Sequence, residues 1–183
     1  MEAPAVTRRR RPFLAPLWVI VLAGFALLGV AWSFYRTAGS TLIVLVRCPD
    51  KPPGAIADPP ISPDGEARAQ SLARVFGAAR GPGGLDAIYV SEDRRAQQAV
   101  APLAERLHRV PVTFPAAEIR SVGARVLREH HGGTVLIVAD AAGVAQIEQA
   151  LGVEQGGVPS EPDVINLLSI PSFGPTRLLR ISF

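Results

Sequence analysis

Thr41-Leu42-Ile43-Val44-Leu45-Val46-Arg47-Cys48-Pro49-Asp50-Lys51 is the stretch on which the fold turns. Its first six residues are apolar or β-branched, and an arginine then opens a polar cluster. A run this rich in Val, Ile and Leu reads as a central strand buried on both faces of a parallel sheet. Open α/β sheets hold their ligands beyond the carboxyl ends of such strands, so Arg47 to Lys51 stand where chemistry is expected.

Downstream, strands alternate with amphipathic helices. A Pro-rich loop over 56–62 leads into Ser62-Pro63-Asp64-Gly65-Glu66. That run offers a capping serine, a proline suited to the first helical position, and acids for the positive end of the dipole. The spacing of Leu72, Val75, Phe76 and Ala79 predicts one apolar helix face, and Gly81-Pro82-Gly83-Gly84 predicts its stop. Ala87 to Val90 reads as a strand, and Val100, Leu103, Ala104 and Leu107 mark the next helix. A short strand over 110–114 precedes a helix over 118–130, with Ile119, Val122, Val126 and Leu127 facing inward. Thr134 to Val138 is a second wholly apolar strand, followed by Ala139-Asp140-Ala141 and a short helix marked by Val144, Ile147 and Leu151. A loop over 152–162 and strands over 164–170 and 177–183 complete the chain. The pattern predicts an α/β three-layer α/β/α sandwich with a mostly parallel sheet over residues 41–183.

Upstream, residues 13–35 are 23 positions without a charge, preceded by Arg8-Arg9-Arg10-Arg11 and closed by Arg36. That is long enough for a transmembrane helix, and Trp18, Trp32 and Tyr35 fall near its ends, where amphipathic rings favour the headgroup zone. Four arginines before the span and one after it place a basic tail, 1–12, in the cytoplasm. The domain then lies outside beyond a linker over 36–40: a single-pass inner-membrane protein with, in a bacterium, a periplasmic domain. The competing reading is a secretory signal cleaved after Gly29-Val30-Ala31, which would remove residues 1–31; the length of the apolar run favours the retained anchor.

Residues 1–36 carry five arginines and one glutamate, a net +4. The other 14 basic and 15 acidic residues leave the globular part at −1, which excludes an electrostatic footprint for nucleic acid. One cysteine in the chain excludes an internal disulfide and a Cys-based zinc site. No cofactor and no metal are expected.

The order of motifs resembles the histidine phosphatase (phosphoglycerate mutase-like) superfamily, in particular its small single-domain phosphatases. The family's Arg-His-Ala-Glu-Lys after the first strand corresponds to Arg47-Cys48-Pro49-Asp50-Lys51. Its Asp-Pro-Pro-Leu-Ser-Pro-x-Gly corresponds to Asp58-Pro59-Pro60-Ile61-Ser62-Pro63-Asp64-Gly65. Its Ser-x-x-x-Arg-x-x-Gln is met by Ser91, Arg95 and Gln98, and its Gly-His-Ser by Ala139-Asp140-Ala141. The resemblance implies a phosphoglycerate mutase-like fold, with Arg47, Arg95 and Gln98 at an anion-binding site for a phosphate or other anionic ligand. It also implies that both catalytic histidines are replaced, the nucleophile by Cys48 and the second histidine by Asp140, while Glu118 falls in the proton-donor region.

A histidine nucleophile in a cationic pocket is the core of the family's chemistry. A carboxylate about 4 Å from a phosphate charge costs on the order of 4 kcal/mol at an effective dielectric near 20, so Asp140 turns an attraction into a repulsion. The same carboxylate is also a candidate ion-pair partner for Arg47 or Arg95. Cys48 with Arg47 beside it resembles an activated thiol, yet cysteine phosphatases place an arginine six positions after the cysteine, and that position is Gly54. The plainer reading is a small buried thiol. His130-His131 are adjacent on a helix and do not face one another, so they read as helix C-terminal residues rather than a metal pair.

These readings converge on a membrane-anchored, catalytically inert phosphatase-like protein, a pseudoenzyme acting as an accessory or interaction subunit with membrane or periplasmic proteins as partners. The alternatives are a hydrolase using Cys48 or a metal-bound water near Asp50 and Asp140, and a sensor of a phosphorylated or other anionic ligand.

Overall fold

The structure is a computed structural model; it describes residues 17–37, 39–48, 58–78, 84–153, 164–172 and 174–182, the side chains of 17, 34–37 and 182 excepted. Pro49, Asp50, Lys51, Gly54, Ala79, 81–83 and most of the 152–162 loop lie outside those residues. The chain divides into two units, 1–36 and 37–183.

In the first unit, α1 (Leu17–Thr37) is a helix of 21 residues, about 31 Å long. It is apolar all round, and Trp18, Ile20, Leu22, Phe25, Leu27, Leu28, Val30 and Trp32 are all exposed. Among the described residues no helix is long and apolar enough to cross a membrane; the described side chains of α1 end at Ser33.

The second unit holds β1 (Thr41–Arg47), α2 (Pro63–Phe76), β2 (Ala87–Ser91), α3 (Arg94–Leu107) and β3 (Val112–Phe114). A 3-10 turn over 116–118 leads to α4 (Ile119–Glu129), β4 (Thr134–Ala139), α5 (Ala141–Ala150), β5 (Val164–Ile170) and β6 (Arg177–Ser182). The six strands form one sheet in the order β3-β2-β4-β1-β5-β6.

Two apolar layers sandwich that sheet. On one face Val44, Ile88, Val90, Leu136 and Val138 pack with Leu72 and Ala73 of α2 and with Val100, Leu103 and Ala104 of α3. On the other, Ile43, Leu45, Tyr89, Val135 and Ile137 pack with Val122 and Val126 of α4 and Val144 and Ile147 of α5. The alternation of strand residues between two helical layers explains why β1 and β4 read as unbroken apolar runs. The three-layer sandwich expected from sequence is thus the one found.

The sheet is mostly parallel, as expected, and mixed only because β5 runs against the other five strands. β1, β4, β2 and β3 run parallel, whereas β5 is antiparallel to both β1 and β6. A connection as short as 171–176 between β5 and β6 can only make a hairpin. The register of α2 differs from expectation. Ser62 does cap it, accepting from the Gly65 N–H at 3.1 Å, but the helix stops at Gly77 and buries Gly65, Ala69, Leu72 and Ala73. Val75 is exposed.

Candidate functional site

The carboxyl ends of β1, β2 and β4 meet at one edge of the sheet, and the motif residues gather there. Arg47 lies opposite Ala139 in register. The Cys48 N–H donates to the Ala139 carbonyl at 2.8 Å, so Cys48 and Asp140 emerge from neighbouring strands. Val90 pairs with Val138, which brings Ser91 and the start of α3, with Arg95, alongside the same edge.

Each position has a local job. Cys48 is 3% exposed and belongs to the buried apolar cluster on the α2 and α3 side of the sheet. Asp140 caps α5: its Oδ1 accepts the Gly143 N–H at 2.7 Å. A Cβ at position 143 would meet Asp140 Oδ1 at 2.8 Å and Ile119 Cδ1 at 2.5 Å, so a larger residue there would have to move those two side chains. Among the ion pairs of the described residues, Asp140 has none with Arg47 or Arg95, and its carboxylate serves the positive end of its own helix. Arg95 is 5% exposed in the first turn of α3. The Gln98 Oε1 accepts the Ile61 N–H at 2.8 Å, and Asp58 Oδ1 accepts the Arg94 N–H at 3.1 Å. Gln98 and Asp58 therefore clasp the segment before α2 to the start of α3. Glu118 is half-exposed, with Oε2 4.0 Å from the Arg125 guanidinium. Its carboxylate is directed along α4.

The chain's three histidines all lie toward the opposite edge, where the parallel strands begin. His108 caps the carboxyl end of α3 in a left-handed conformation, ahead of β3. His131 Nε2 is 3.3 Å from Ser172 Oγ, which donates to the carbonyl of Gly39 ahead of β1. His130 ends α4, with Nε2 3.2 Å from the Tyr89 hydroxyl. No imidazole stands with Arg47 and Arg95. Among the described residues there is also no cluster of three or more His, Cys, Asp or Glu arranged to hold a metal.

The Tyr89 hydroxyl also donates to Glu129 Oε2 at 2.6 Å, and the Arg125 guanidinium sits 5.8 Å from the Tyr89 ring centroid. This ties β2 to the end of α4, a tie between residues 40 apart that local sequence pattern does not show. Burial first, then the hydrogen bond to Glu129, pushes the hydroxyl from 10.0 up to about 12. An acid whose pKa rises on folding stabilises the fold in its neutral form. That contribution is whole below pH 10 and is lost as the pH climbs to 12. Tyr89→Phe is expected to melt below the unsubstituted protein at pH 8 and to flatten the fall in melting temperature between pH 10 and 12. Thermal melts across that range check it; an unchanged slope would contradict it.

A cleft of about 490 Å³ lies elsewhere, between α3 and β3, lined by residues that include Val100, Ala104, His108, Val110 and Thr113. It shares no residue with the motif cluster at the carboxyl edge.

No protein-family model matches the chain, and no curated protein sequence matches it. Solved structures do. The protein histidine phosphatase SixA, in a complex with tungstate, is 17% identical with a TM-score of 0.59, over 77% of this chain and 96% of that one. Mycobacterial glucosyl-3-phosphoglycerate phosphatase is 17% identical with a TM-score of 0.54, over 76% of this chain and 96% of that one. A phosphoserine phosphatase mutant from Entamoeba histolytica, in complex with phosphoserine, is 13% identical with a TM-score of 0.55, over 75% and 94%. At these identities the likeness is one of architecture, and the conclusion is correspondingly plain: the chain has the α/β fold of the histidine phosphatases.

Proposed function

We propose that this chain is a membrane-anchored, catalytically silent member of the histidine phosphatase superfamily, an accessory or interaction subunit whose partners are other membrane or extracytoplasmic proteins. One observation carries the reading: every imidazole in the chain lies toward the amino edge of the sheet, while Arg47, Cys48, Arg95 and Asp140 occupy the carboxyl edge. Phosphoryl transfer to the protein needs an activated nucleophile in a cationic pocket. Cys48 is packed into the core, away from solvent, and Asp140 spends its carboxylate on Gly143. A phosphate arriving there meets a negative charge in place of a donor.

The anchor rests on α1. A helix with no charge from Leu17 to Tyr35 and no covered apolar face leaves hydrocarbon in water unless lipid surrounds it. Arg8 to Arg11 orient it with the amino terminus in the cytoplasm.

The test is turnover of phosphohistidine peptides and generic phosphate esters by the detergent-solubilised full chain, beside Cys48→Ala. The expected result is no difference between the two and none from buffer. Turnover that Cys48→Ala abolishes would replace this reading with an active thiol hydrolase.

A further inference from the structure

At the amino edge of the sheet, where the parallel strands begin and α2, α3 and α4 end, the charge is lopsided. Arg106 and Arg128 stand in the last turns of α3 and α4, Arg109 follows α3, and Arg177 opens β6. All four are exposed, and among the described residues none is in an ion pair. The carboxylates on that side are Asp86, which accepts the Thr134 N–H, Glu105, and Glu129, which Arg125 pairs. The opposite edge gathers acids beside Arg47, Arg94 and Arg95: Asp64 and Glu66 open α2, Asp93 and Asp140 cap α3 and α5, and Glu118 precedes α4. Helix dipoles account for Arg106 and Arg128, but Arg109 and Arg177 lie outside any helix. Next to Arg109, Val110 is 91% exposed, more than any other large apolar residue among those described. A bare apolar side chain among cations is the composition of a surface that meets lipid headgroups.

We propose that the amino edge docks on an anionic bilayer surface, Arg106, Arg109, Arg128 and Arg177 meeting lipid phosphates and Val110 entering the headgroup layer. The proposal rests on the anchoring of α1. Residues 38–40 are all that joins α1 to β1 in the chain, and β1 begins at the amino edge. Fully extended, that link reaches about 14 Å. With α1 in lipid, a tether that short holds the amino edge, and no other part of the domain, next to the bilayer. The arginines supply the charge complementary to acidic headgroups, an attraction that salt screens. Docked this way, the domain turns its carboxyl edge, with Arg47, Arg95 and Asp140, away from the lipid and toward other proteins.

The test uses the full chain in lipid nanodiscs on a Cys48→Ala background, with a polarity-sensitive fluorophore on Val110→Cys. A second label goes on Ala117→Cys, exposed in the turn beyond the carboxyl end of β3. In phosphatidylcholine mixed with phosphatidylglycerol, the label at 110 is expected to shift to the blue and brighten several-fold over phosphatidylcholine alone. Raised salt is expected to reverse the change, as is replacing Arg106, Arg109, Arg128 and Arg177 together by Gln. The label at 117 is expected to give one spectrum throughout. Failure of the chain to enter nanodiscs overturns the anchor and this proposal with it. A chain that enters, but whose label at 110 gives the same spectrum in both lipids, overturns the docking alone. If that common spectrum is red, the edge faces something other than lipid; if it is blue, charge plays no part. Equal shifts at 110 and 117 also overturn it, since the domain then has no preferred edge.

Discussion

Leu136→Ala is expected to cost about 3 kcal/mol of folding stability, within the range for emptying a leucine site in a close-packed core. Leu136 is fully buried, it pairs with Val44 of β1 and with Ile88 of β2, and its layer is shared with α2 and α3. Neighbours on two strands and two helices leave the site little freedom to collapse, which is what sets the cost of a cavity. For a domain of this size the loss corresponds to a fall in melting temperature of roughly 10 °C. Chemical denaturation of the full chain measures it, and a loss under about 1 kcal/mol would mean that β4 is not the centre of the sheet.

The second large effect concerns α1. Phe25→Arg together with Leu28→Arg puts two charges near the middle of the helix, each costing about 2.5–3.5 kcal/mol at the centre of a span. The unsubstituted chain is expected to stay in the membrane pellet through alkaline carbonate washing, and the double variant to leave it. Release of the unsubstituted chain by carbonate would contradict the anchor, as would full retention of the variant. Both substitutions fall within the first of the two units, residues 1–36.

How much of this was legible in the sequence differs from element to element. The apolar runs of β1 and β4 named the centre of the sheet, because strands covered on both faces alternate nothing and leave a plain hydrophobic signature. Ser62-Pro63-Asp64 named the start of α2, because a cap is a local device written in adjacent residues. The direction of β5 was not legible. Val164 to Ile170 is as apolar as a parallel strand, and hydrophobic pattern carries no arrow; only the short link to β6 hinted at a hairpin. Val75 is exposed because the buried stripe of α2 runs through Gly65, Ala69, Leu72 and Ala73, and small residues on that stripe do not show in a count of large apolar positions.

At the candidate site, the motif positions were legible and their jobs were not. Asp140 read as the successor of a histidine, and the ion pair imagined for it with Arg47 or Arg95 is absent among the described residues. The signal for its cap was Asp140 directly ahead of Ala141-Ala142-Gly143-Val144, an acidic residue at the start of a helical run. Gln98 read as an anion ligand, and its amide oxygen holds the Ile61 N–H. Glu118 falls in the proton-donor region only by resemblance, and it stands at the start of α4 with its carboxylate 4.0 Å from the Arg125 guanidinium. In each case the partner that decides the role is local to the folded edge or far away in sequence, and a motif carries only the residue type.

The central claim is that no imidazole serves the carboxyl edge of the sheet. The most direct measurement is to incubate the full chain with a radiolabelled phosphohistidine peptide, quench in alkali, and look for an acid-labile phosphoryl group on the protein. The account predicts no label above that of a denatured control. A labelled protein whose phosphoryl group maps to His108, His130 or His131 would contradict it.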